Sequence, residues 1–272
     1  MHIHTNFSCD CQTPMETVCQ AALARGLEEI AITDHVDWEP QDEGYARFRP
    51  QAYWTEIERC RALFAGQLTI RAGVELGEPH RFRQEAAELL ARYEYDLVLG
   101  SLHWSNGRPA WERAFFGDDL GLDEGLALYF AELYTLASEA DYDVLTHLDF
   151  VRRAAYLCFG VGEPDLRPHE AQIRRVLRAV AERGKGLEVN TNTCRKGLGG
   201  PGASLEALRW FRQAGGRIVT FGSDAHRAED VGADLDRALA VAREAGFDRP
   251  ARWERRVAHS TRIGPSATRS SI

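Results

Sequence analysis

The chain has 272 residues, of which 44% are hydrophobic, and carries a formal net charge of -8 at pH 7. That length suffices for one large α/β domain or two small ones, and the acidic balance argues against a basic surface for nucleic acid or anionic membranes. The sequence has no run of about 18 apolar residues to span a membrane. Its N-terminus is too polar for a signal peptide, so we expect a cytoplasmic protein.

Short apolar runs that end in polar side chains recur along the chain and predict strands. There are seven such runs, at residues 2–4, 28–35, 68–75, 96–103, 142–147, 186–192 and 216–226. Six of them end in His, Asp or Glu, whereas the run 186–192 ends in amides.

Amphipathic stretches separate these runs. From Pro14 to Gly26, apolar residues recur at helical spacing, with Thr13 as the predicted N-cap, proline at the first helical position and glycine as the stop. Similar patterns predict six further helices, at about 50–64, 82–93, 122–140, 168–183, 204–214 and 229–245. Alternation of strands and helices predicts a parallel sheet.

A closed barrel and a doubly wound open sheet both fit this alternation. An open sheet gathers a site at one switch point from a few strands, whereas here six of seven strands end in candidate ligands, which favours closure. We therefore predict an α/β fold, a seven-stranded (β/α)7 barrel with a metal site at the C-terminal ends of its strands. We assign residues 1–250 to this single domain and expect residues 251–272 to form a poorly ordered C-terminal tail.

The residues at the strand ends are those that bind metal ions. They are His2, His4, His35, Glu75, His103, His147, Asp224 and His226. Taken singly, each is more often a hydrogen-bonded core residue or a cap than a ligand, but their shared position favours a multinuclear metal site. Such a set suits zinc, iron(II) or manganese and does not discriminate well between them.

Six cysteines raise the question of zinc knuckles or disulfides, but the sequence has no CxxC pair. Cys9 and Cys11, on either side of Asp10, form the one suggestive local arrangement. We interpret both as free thiols near the metal site, because the His and carboxylate residues are better placed as ligands.

Taken in order, the motifs resemble those of the polymerase-and-histidinol-phosphatase (PHP) superfamily over about residues 1–230. The matching segments are His2-Ile3-His4-Thr5, Ile32-Thr33-Asp34-His35, Gly73-Val74-Glu75, Gly100-Ser101-Leu102-His103, Thr146-His147 and Gly222-Ser223-Asp224-Ala225-His226. The resemblance implies that the barrel is distorted and carries three divalent metal ions.

The resemblance also implies a ligand set for each ion. The first ion takes His2, His4, Glu75 and Asp224; Glu75 bridges to the second, which takes His103 and His147; the third takes His35, His226 and Asp10. A cap or turn before the helix at Pro14 is the alternative role for Asp10. A bridging carboxylate of this kind holds a hydroxide between two ions, ready to attack phosphorus.

A phosphatase also needs cations that hold the phosphate, and arginine suits that task by its bidentate geometry. Histidinol-phosphate phosphatases, which the chain resembles most closely, use arginines after the two corresponding strands. By that resemblance we expect Arg195 and Arg153 to bind the phosphate and to act with Glu75 and Asp224 in catalysis. Arg152 is the close alternative for binding the phosphate. Asn190 is expected to bind substrate or support the ligands.

The predicted function is metal-dependent hydrolysis of a small phosphorylated substrate. The resemblance favours L-histidinol phosphate, hydrolysed to L-histidinol and phosphate in histidine biosynthesis. A phosphoesterase for another small ester or nucleotide is the alternative, followed by a noncatalytic metal-binding module. The general acid stays open among Asp34, Glu78, Glu112 and Asp149, and the sequence does not indicate an oligomeric state.

The opening strand is the weakest part of the pattern, because His2 directly follows Met1. Relatives usually have a short lead before the first His. Either the start of the chain has been assigned several residues late, or His2 and His4 lie on a strand with little to pair with. If the start is correct, we expect the first metal to be weakly occupied.

Overall fold

A computed structural model describes residues 1–260 of the chain. Its strands are β1 (Glu29–Val36), β2 (Thr69–Gly77), β3 (Leu97–Ser101), β4 (Trp104–Ser105), β5 (Arg108–Pro109), β6 (Val144–Leu145), β7 (Gly186–Asn190), β8 (Val219–Gly222), β9 (Ala251–Glu254) and β10 (Val257–Ser260). Its α-helices are α1 (Met15–Ala24), α2 (Pro50–Leu63), α3 (Arg83–Arg92), α4 (Leu122–Glu139), α5 (Arg152–Phe159), α6 (Glu170–Glu182), α7 (Asn192–Arg195), α8 (Leu205–Gln213) and α9 (Leu235–Glu244). Short 3-10 helices span Arg113–Phe115, Arg167–His169 and Ala228–Asp230.

The centre of the fold is a curled parallel sheet, a half-barrel whose strand order is β1-β2-β3-β6-β7-β8. Every neighbouring pair is parallel. The α/β fold predicted from the alternating pattern is thus present. Within residues 1–260 this sheet has six strands, one fewer than the sequence predicts.

The missing strand is the opening segment, which runs between the two edge strands β8 and β1. Backbone hydrogen bonds join Asp224 N to His2 O at 2.8 Å, His4 N to Ala225 O at 2.9 Å and Thr33 N to Ile3 O at 2.9 Å. Ile3 forms a single parallel bridge rather than a strand, because the chain turns away at residues 6–10. These bonds give both histidines firmer support than the sequence suggests.

The helices cover the outer face of the sheet, and the seven predicted ones correspond to α1, α2, α3, α4, α6, α8 and α9. In α1, Met15, Val18, Cys19 and Ala22 form the buried stripe that the spacing predicts. Two short helices, α5 and α7, were not predicted. They are the next elements after β6 and β7 and therefore belong to the connections that leave the C-terminal ends of those strands. No helix among the described residues is long and apolar enough to cross a membrane.

The expectation of a poorly ordered tail from residue 251 is wrong for its first ten residues. β9 and β10 form an antiparallel hairpin, and Trp253 is only 3% exposed. Trp253 packs in a small core with Leu97 of β3 and Val144 of β6, and its Nε1 donates to Thr220 Oγ1 at 3.0 Å. These contacts lie at the N-terminal ends of the strands. Residues 261–272 lie outside the described part.

The hairpin should therefore contribute to stability. We expect Trp253→Ala to lower the free energy of unfolding by about 3–5 kcal/mol, because it leaves a cavity and removes a buried hydrogen bond. Urea unfolding measures this change. Val257→Ala is the control, since that side chain is 56% exposed and its loss should cost less than about 0.5 kcal/mol. Equal unfolding midpoints for the two variants would contradict the assignment.

Candidate metal centre

The candidate ligands meet at one end of the curled sheet, where the strands have their C-termini. His35 and Glu75 lie near the ends of β1 and β2, while His103, His147 and Asp224 each follow the last residue of a strand by two positions. The residues His2, His4, Asp10 and His226 complete the group. A cavity of about 410 Å³ opens over them.

Glu75 is the centre of this group, and its carboxylate is fully buried. Its two oxygens contact different histidines. Oε2 lies 3.1 Å from His2 Nε2, 3.1 Å from His35 Nδ1 and 3.4 Å from His4 Nε2, whereas Oε1 lies 2.8 Å from His147 Nε2 and 3.3 Å from His103 Nε2. One carboxylate thus connects two sets of imidazoles, as a bridging ligand does.

Asp224 and Asp10 extend the group on the Oε2 side. Asp224 Oδ1 lies 3.3 Å from His4 Nε2 and 3.6 Å from His226 Nδ1. Asp10 Oδ2 lies 3.0 Å from His226 Nε2, and its Oδ1 lies 3.8 Å from His35 Nε2. The structure therefore brings Asp10 beside His35 and His226, the two residues with which the resemblance groups it. Asp224 has a positive φ of 48°, a strained conformation for a residue other than glycine, and this is typical of functional sites.

Hydrogen bonds outside the group decide which ring nitrogens carry protons. The His2 Nδ1 donates to the carboxylate of Glu188 at 2.7 Å, so Nε2 of the neutral ring presents a lone pair. The hydroxyl of Ser8 donates to Asp34 at 2.7 Å and therefore accepts from His4 Nδ1 at 2.9 Å. The Nε2 lone pair of His4 then faces that of His2 at 3.0 Å.

Acceptor atoms facing one another at such distances repel unless a proton or a metal cation lies between them. The residues therefore fit divalent metal ions, whose ligands must be neutral imidazoles and ionised carboxylates. Burial, together with repulsion from His226 and His35, lowers the pKa of His4 to about 3. Burial alone would raise the pKa of Glu75, but the neighbouring histidines hold it well below its usual range. Burial alone would lower the pKa of His2, but the carboxylates of Glu75 and Glu188 raise it well above its usual range. A metal ion bound here would displace that proton and take over its charge.

The buried carboxylates of Glu188 and Asp34 orient the candidate ligands but are not ligands themselves. Glu188 Oε1 binds His2, and its Oε2 accepts from His147 N at 2.9 Å. Asp34 accepts from Thr5 N at 2.6 Å as well as from the Ser8 hydroxyl. Sequence reasoning missed the role of Glu188, although an acidic residue inside the apolar run of β7 is a signal that could have revealed it.

Comparison with protein families shows which family the chain belongs to. The family model of the PHP domain matches residues 1–192, more than half of the chain. The chain belongs to the PHP domain family. The resemblance inferred from the ordered motifs is therefore confirmed.

Several PHP relatives are similar along nearly their whole length. A probable histidinol-phosphatase of Clostridium acetobutylicum is 27% identical and covers 94% of this chain and 96% of its own. A histidinol-phosphatase of Lactococcus lactis is 28% identical, with 90% of each chain covered. Among solved structures, a Lactococcus lactis histidinol phosphate phosphatase complexed with zinc, L-histidinol and phosphate has a TM-score of 0.86 at 24% identity, covering 95% of this chain and 97% of its own. That likeness shows the same fold.

Of the three arginines considered for phosphate binding, the structure places one in the cavity of this PHP domain. Arg153 lines it, beside the aromatic side chains of Trp104, Trp111 and Phe150. Lys196, which sequence reasoning did not select, lines it too. Arg153 and Lys196 are thus the cationic side chains available to an anion there.

The structure differs from the expectation for Arg152 and Arg195, neither of which lines the cavity. Arg152 is buried and donates to Asp149 Oδ2 and Gly162 O, both at 2.9 Å, and to Leu198 O. Arg195 donates to Ser223 O at 2.5 Å and forms an ion pair with Asp230 at 3.2 Å. Their guanidinium groups fix the loops after β6, β7 and β8 instead.

Asn190 contacts Asp224, one of the candidate metal ligands, and the supporting carboxylate of Glu188. Its Nδ2 lies 3.1 Å from Glu188 Oε2 and 3.3 Å from Asp224 Oδ2, while its Oδ1 accepts from Asn192 N. It also lines the cavity, so a contact with substrate stays a prediction.

Glu188→Gln tests whether the carboxylate of β7 supports the candidate metal centre. We expect metal affinity to fall by about ten- to a hundredfold, because the Nδ1 proton of His2 loses a charged acceptor. Competition with a chelator measures this affinity. Glu182→Gln on the exposed face of α6 is the matched control and should leave the affinity unchanged. An unchanged affinity in Glu188→Gln would contradict the supporting role.

Proposed function

We propose that this protein is a metal-dependent phosphomonoesterase that converts L-histidinol phosphate and water to L-histidinol and phosphate. The observation that carries the metal-dependent part is the convergence of five imidazoles on the buried carboxylate of Glu75. Full-length similarity to proteins named histidinol-phosphatase supports the choice of substrate. A cytoplasmic role in histidine biosynthesis follows from that substrate.

The proposed centre holds three divalent ions, with the ligand sets that the PHP motifs imply. The two oxygens of Glu75 would join the first and second ions, and Asp10 would complete the third set with His35 and His226. When bound, such ions lower the pKa of water and neutralise charge on the phosphate. Zinc has support from the similar phosphatase solved with that metal, while iron(II) and manganese suit the same ligands.

The opening segment acts in this proposal as the seventh member of a distorted barrel. Its backbone bonds to β8 and β1 bring His2 and His4 to the same end as the other ligands. The site then lies at the C-terminal ends of all the strands, where loops of a barrel converge.

The chain's own side chains would position the ester and exclude water. Arg153 and Lys196 would bind phosphate oxygens from the cavity wall, and the rings of Trp111 and Phe150 would cover the alcohol part of the substrate. Phe150 stacks on the imidazole of His147 with ring centroids 4.5 Å apart, which places an apolar surface directly beside the ligands.

The structure narrows the choice of general acid. Asp34 is occupied by hydrogen bonds from Thr5 and Ser8, and neither Asp34 nor Glu78 lines the cavity. Asp149 and Glu112 do line it, and Asp149 keeps its Oδ1 without a hydrogen-bond partner among the described residues although its Oδ2 accepts from Arg152. We therefore propose that one of these two protonates the leaving alcohol.

Hydrolysis should depend on Glu75. We expect Glu75→Gln to abolish phosphate release from histidinol phosphate, because a neutral amide cannot join two metal ions through both of its end atoms. Metal analysis of the same variant should show fewer bound ions, and circular dichroism checks that it folds. Activity near that of the wild type would rule out the proposed centre.

Substrate choice is tested separately, by comparing histidinol phosphate with other phosphomonoesters and a dinucleotide. We expect kcat/KM to favour histidinol phosphate by about ten- to a hundredfold, equal to about 1.4–2.7 kcal/mol. A preference for another ester would agree with phosphatase activity but would show that histidinol phosphate is not the preferred substrate.

Arg153 should bind the phosphate of whichever ester is used. We expect Arg153→Ala to lower kcat/KM by about ten- to a hundredfold, since a hydrogen bond to a charged group contributes about 1.5–3 kcal/mol. Steady-state kinetics measure the change. Arg167→Ala is the control, because that side chain is 80% exposed and paired with Asp165. If both variants hydrolyse the ester equally well, Arg153 has no role in binding.

A further inference from the structure

His103 differs from the candidate ligands on the first two strands because it lies in a loop. His35 and Glu75 belong to β1 and β2, where strand pairing fixes the backbone, whereas His103 lies two residues beyond the end of β3. Its Nε2 nevertheless faces Glu75 Oε1, at a distance of 3.3 Å. Groups outside the strands must therefore hold the backbone and the ring of His103.

The carboxylate of Glu78 holds the backbone. Its Oε1 accepts from His103 N at 2.6 Å and from Trp104 N at 2.9 Å, while Glu78 N donates to Ser101 O at 3.0 Å. Glu78 is fully buried and has a positive φ of 45°, a strained conformation that persists only where the surrounding structure imposes it. The loop after β2 thus fixes the turn that carries His103.

The same contact occurs at the other histidine of the proposed second ion. His147 also follows its strand by two positions, and its backbone N donates to the buried carboxylate of Glu188 at 2.9 Å. The protein therefore holds both loop histidines by a carboxylate that accepts from their backbone N–H. Such a bond fixes where the side chain begins, and the ring must be oriented by other contacts.

Asp37 faces the ring of His103. Its Oδ1 lies 3.6 Å from His103 Nδ1 and has no hydrogen-bond partner among residues 1–260, although Asp37 is only 6% exposed. Metal-binding histidines commonly bind the ion through one ring nitrogen and donate the other N–H to a carboxylate. Since Nε2 faces Glu75, Nδ1 would carry the proton, and a small rotation of the ring brings it within hydrogen-bond distance of Asp37.

Gly77 makes this approach possible. A Cβ atom at this position would clash with Asp37 Oδ1 and lie 3.6 Å from His103 Nδ1. Only glycine therefore leaves room for the carboxylate beside the imidazole. Gly77 is the last residue of β2, the strand that also carries Glu75. One strand thus provides both the bridging carboxylate and the space for the group that orients a neighbouring ligand.

We propose that Glu78 and Asp37 are positioning residues for His103, Glu78 through the backbone and Asp37 through the ring. The inference rests on the proposed metal-dependent function, in which Glu75, His103 and His147 bind the second ion. Neither carboxylate is itself a ligand of that ion: Glu78 does not line the cavity, and Asp37 faces the ring nitrogen opposite the one beside Glu75. Both lower the cost of ordering a loop histidine when the ion binds.

Chelator competition with the zinc-loaded, full-length protein tests the proposal. We expect Asp37→Ala and Glu78→Ala each to lower the affinity for one ion by about ten- to a hundredfold and to leave the other ions unchanged. Glu78→Gln should bind zinc as the wild type does, because its amide oxygen still accepts from both N–H groups. Glu43→Ala removes an exposed carboxylate from the same loop as Asp37 and is the matched control, with all affinities unchanged.

A double-mutant cycle shows whether the two carboxylates act through His103. In a His103→Ala background, we expect Asp37→Ala and Glu78→Ala to cause no further loss of zinc affinity, since the side chain that they position is absent. If circular dichroism shows that Glu78→Ala does not fold, Asp37→Ala completes the cycle by itself, because Asp37 Oδ1 holds no other group in the described part of the chain.

Three results would overturn the proposal: wild-type affinity in Asp37→Ala, a loss in Glu78→Gln as large as that in Glu78→Ala, or additive losses in the His103→Ala background. These affinities do not depend on catalysis. A protein that shows the expected losses without hydrolysing histidinol phosphate would support the positioning roles and refute the proposed function. A wild type that binds no zinc would refute both.

Discussion

The fold is organised around one electrostatic constraint, the buried carboxylate of Glu75 with five imidazoles in contact with it. Carboxylate oxygens and nitrogen lone pairs are all acceptors, so they can share a dry space only when protons or metal cations lie among them. The pKa of Glu75 is held well below its usual range although burial raises it. The surrounding structure serves to keep these acceptors together.

Two structural features stabilise this cluster of acceptor groups. The opening segment hydrogen-bonds to both β8 and β1, which brings His2 and His4 beside ligands more than 70 residues away in the chain. At the opposite end of the strands, the hairpin β9–β10 inserts Trp253 into a small apolar core. One end of the curled sheet is therefore packed with apolar side chains, and the other is available for chemistry.

Support and chemistry are divided between neighbouring residues. Arg152 binds carbonyl groups and Asp149 inside the protein, while Arg153, the next residue, lines the cavity. Successive residues of a helix point about 100° apart, so only one of the two can face the substrate. Glu188 similarly has no place in the ligand set, yet it fixes the ring nitrogen that His2 presents. Mutations in such supporting residues should act through the geometry of the ligands.

The sequence by itself determined the alternation of strands and helices and the predicted ligands, because residue periodicity and position at a strand end are local properties. It did not determine the strand count, the hairpin after residue 250 or the orientation of Arg152 and Arg195, since each depends on partners distant in the chain. Tertiary structure alone placed Cys9 beside Asp37 and Asp42. Separate loops lie side by side there because the loops that follow parallel strands all lie at one end of the sheet. A local sequence pattern cannot predict such contacts between distant segments.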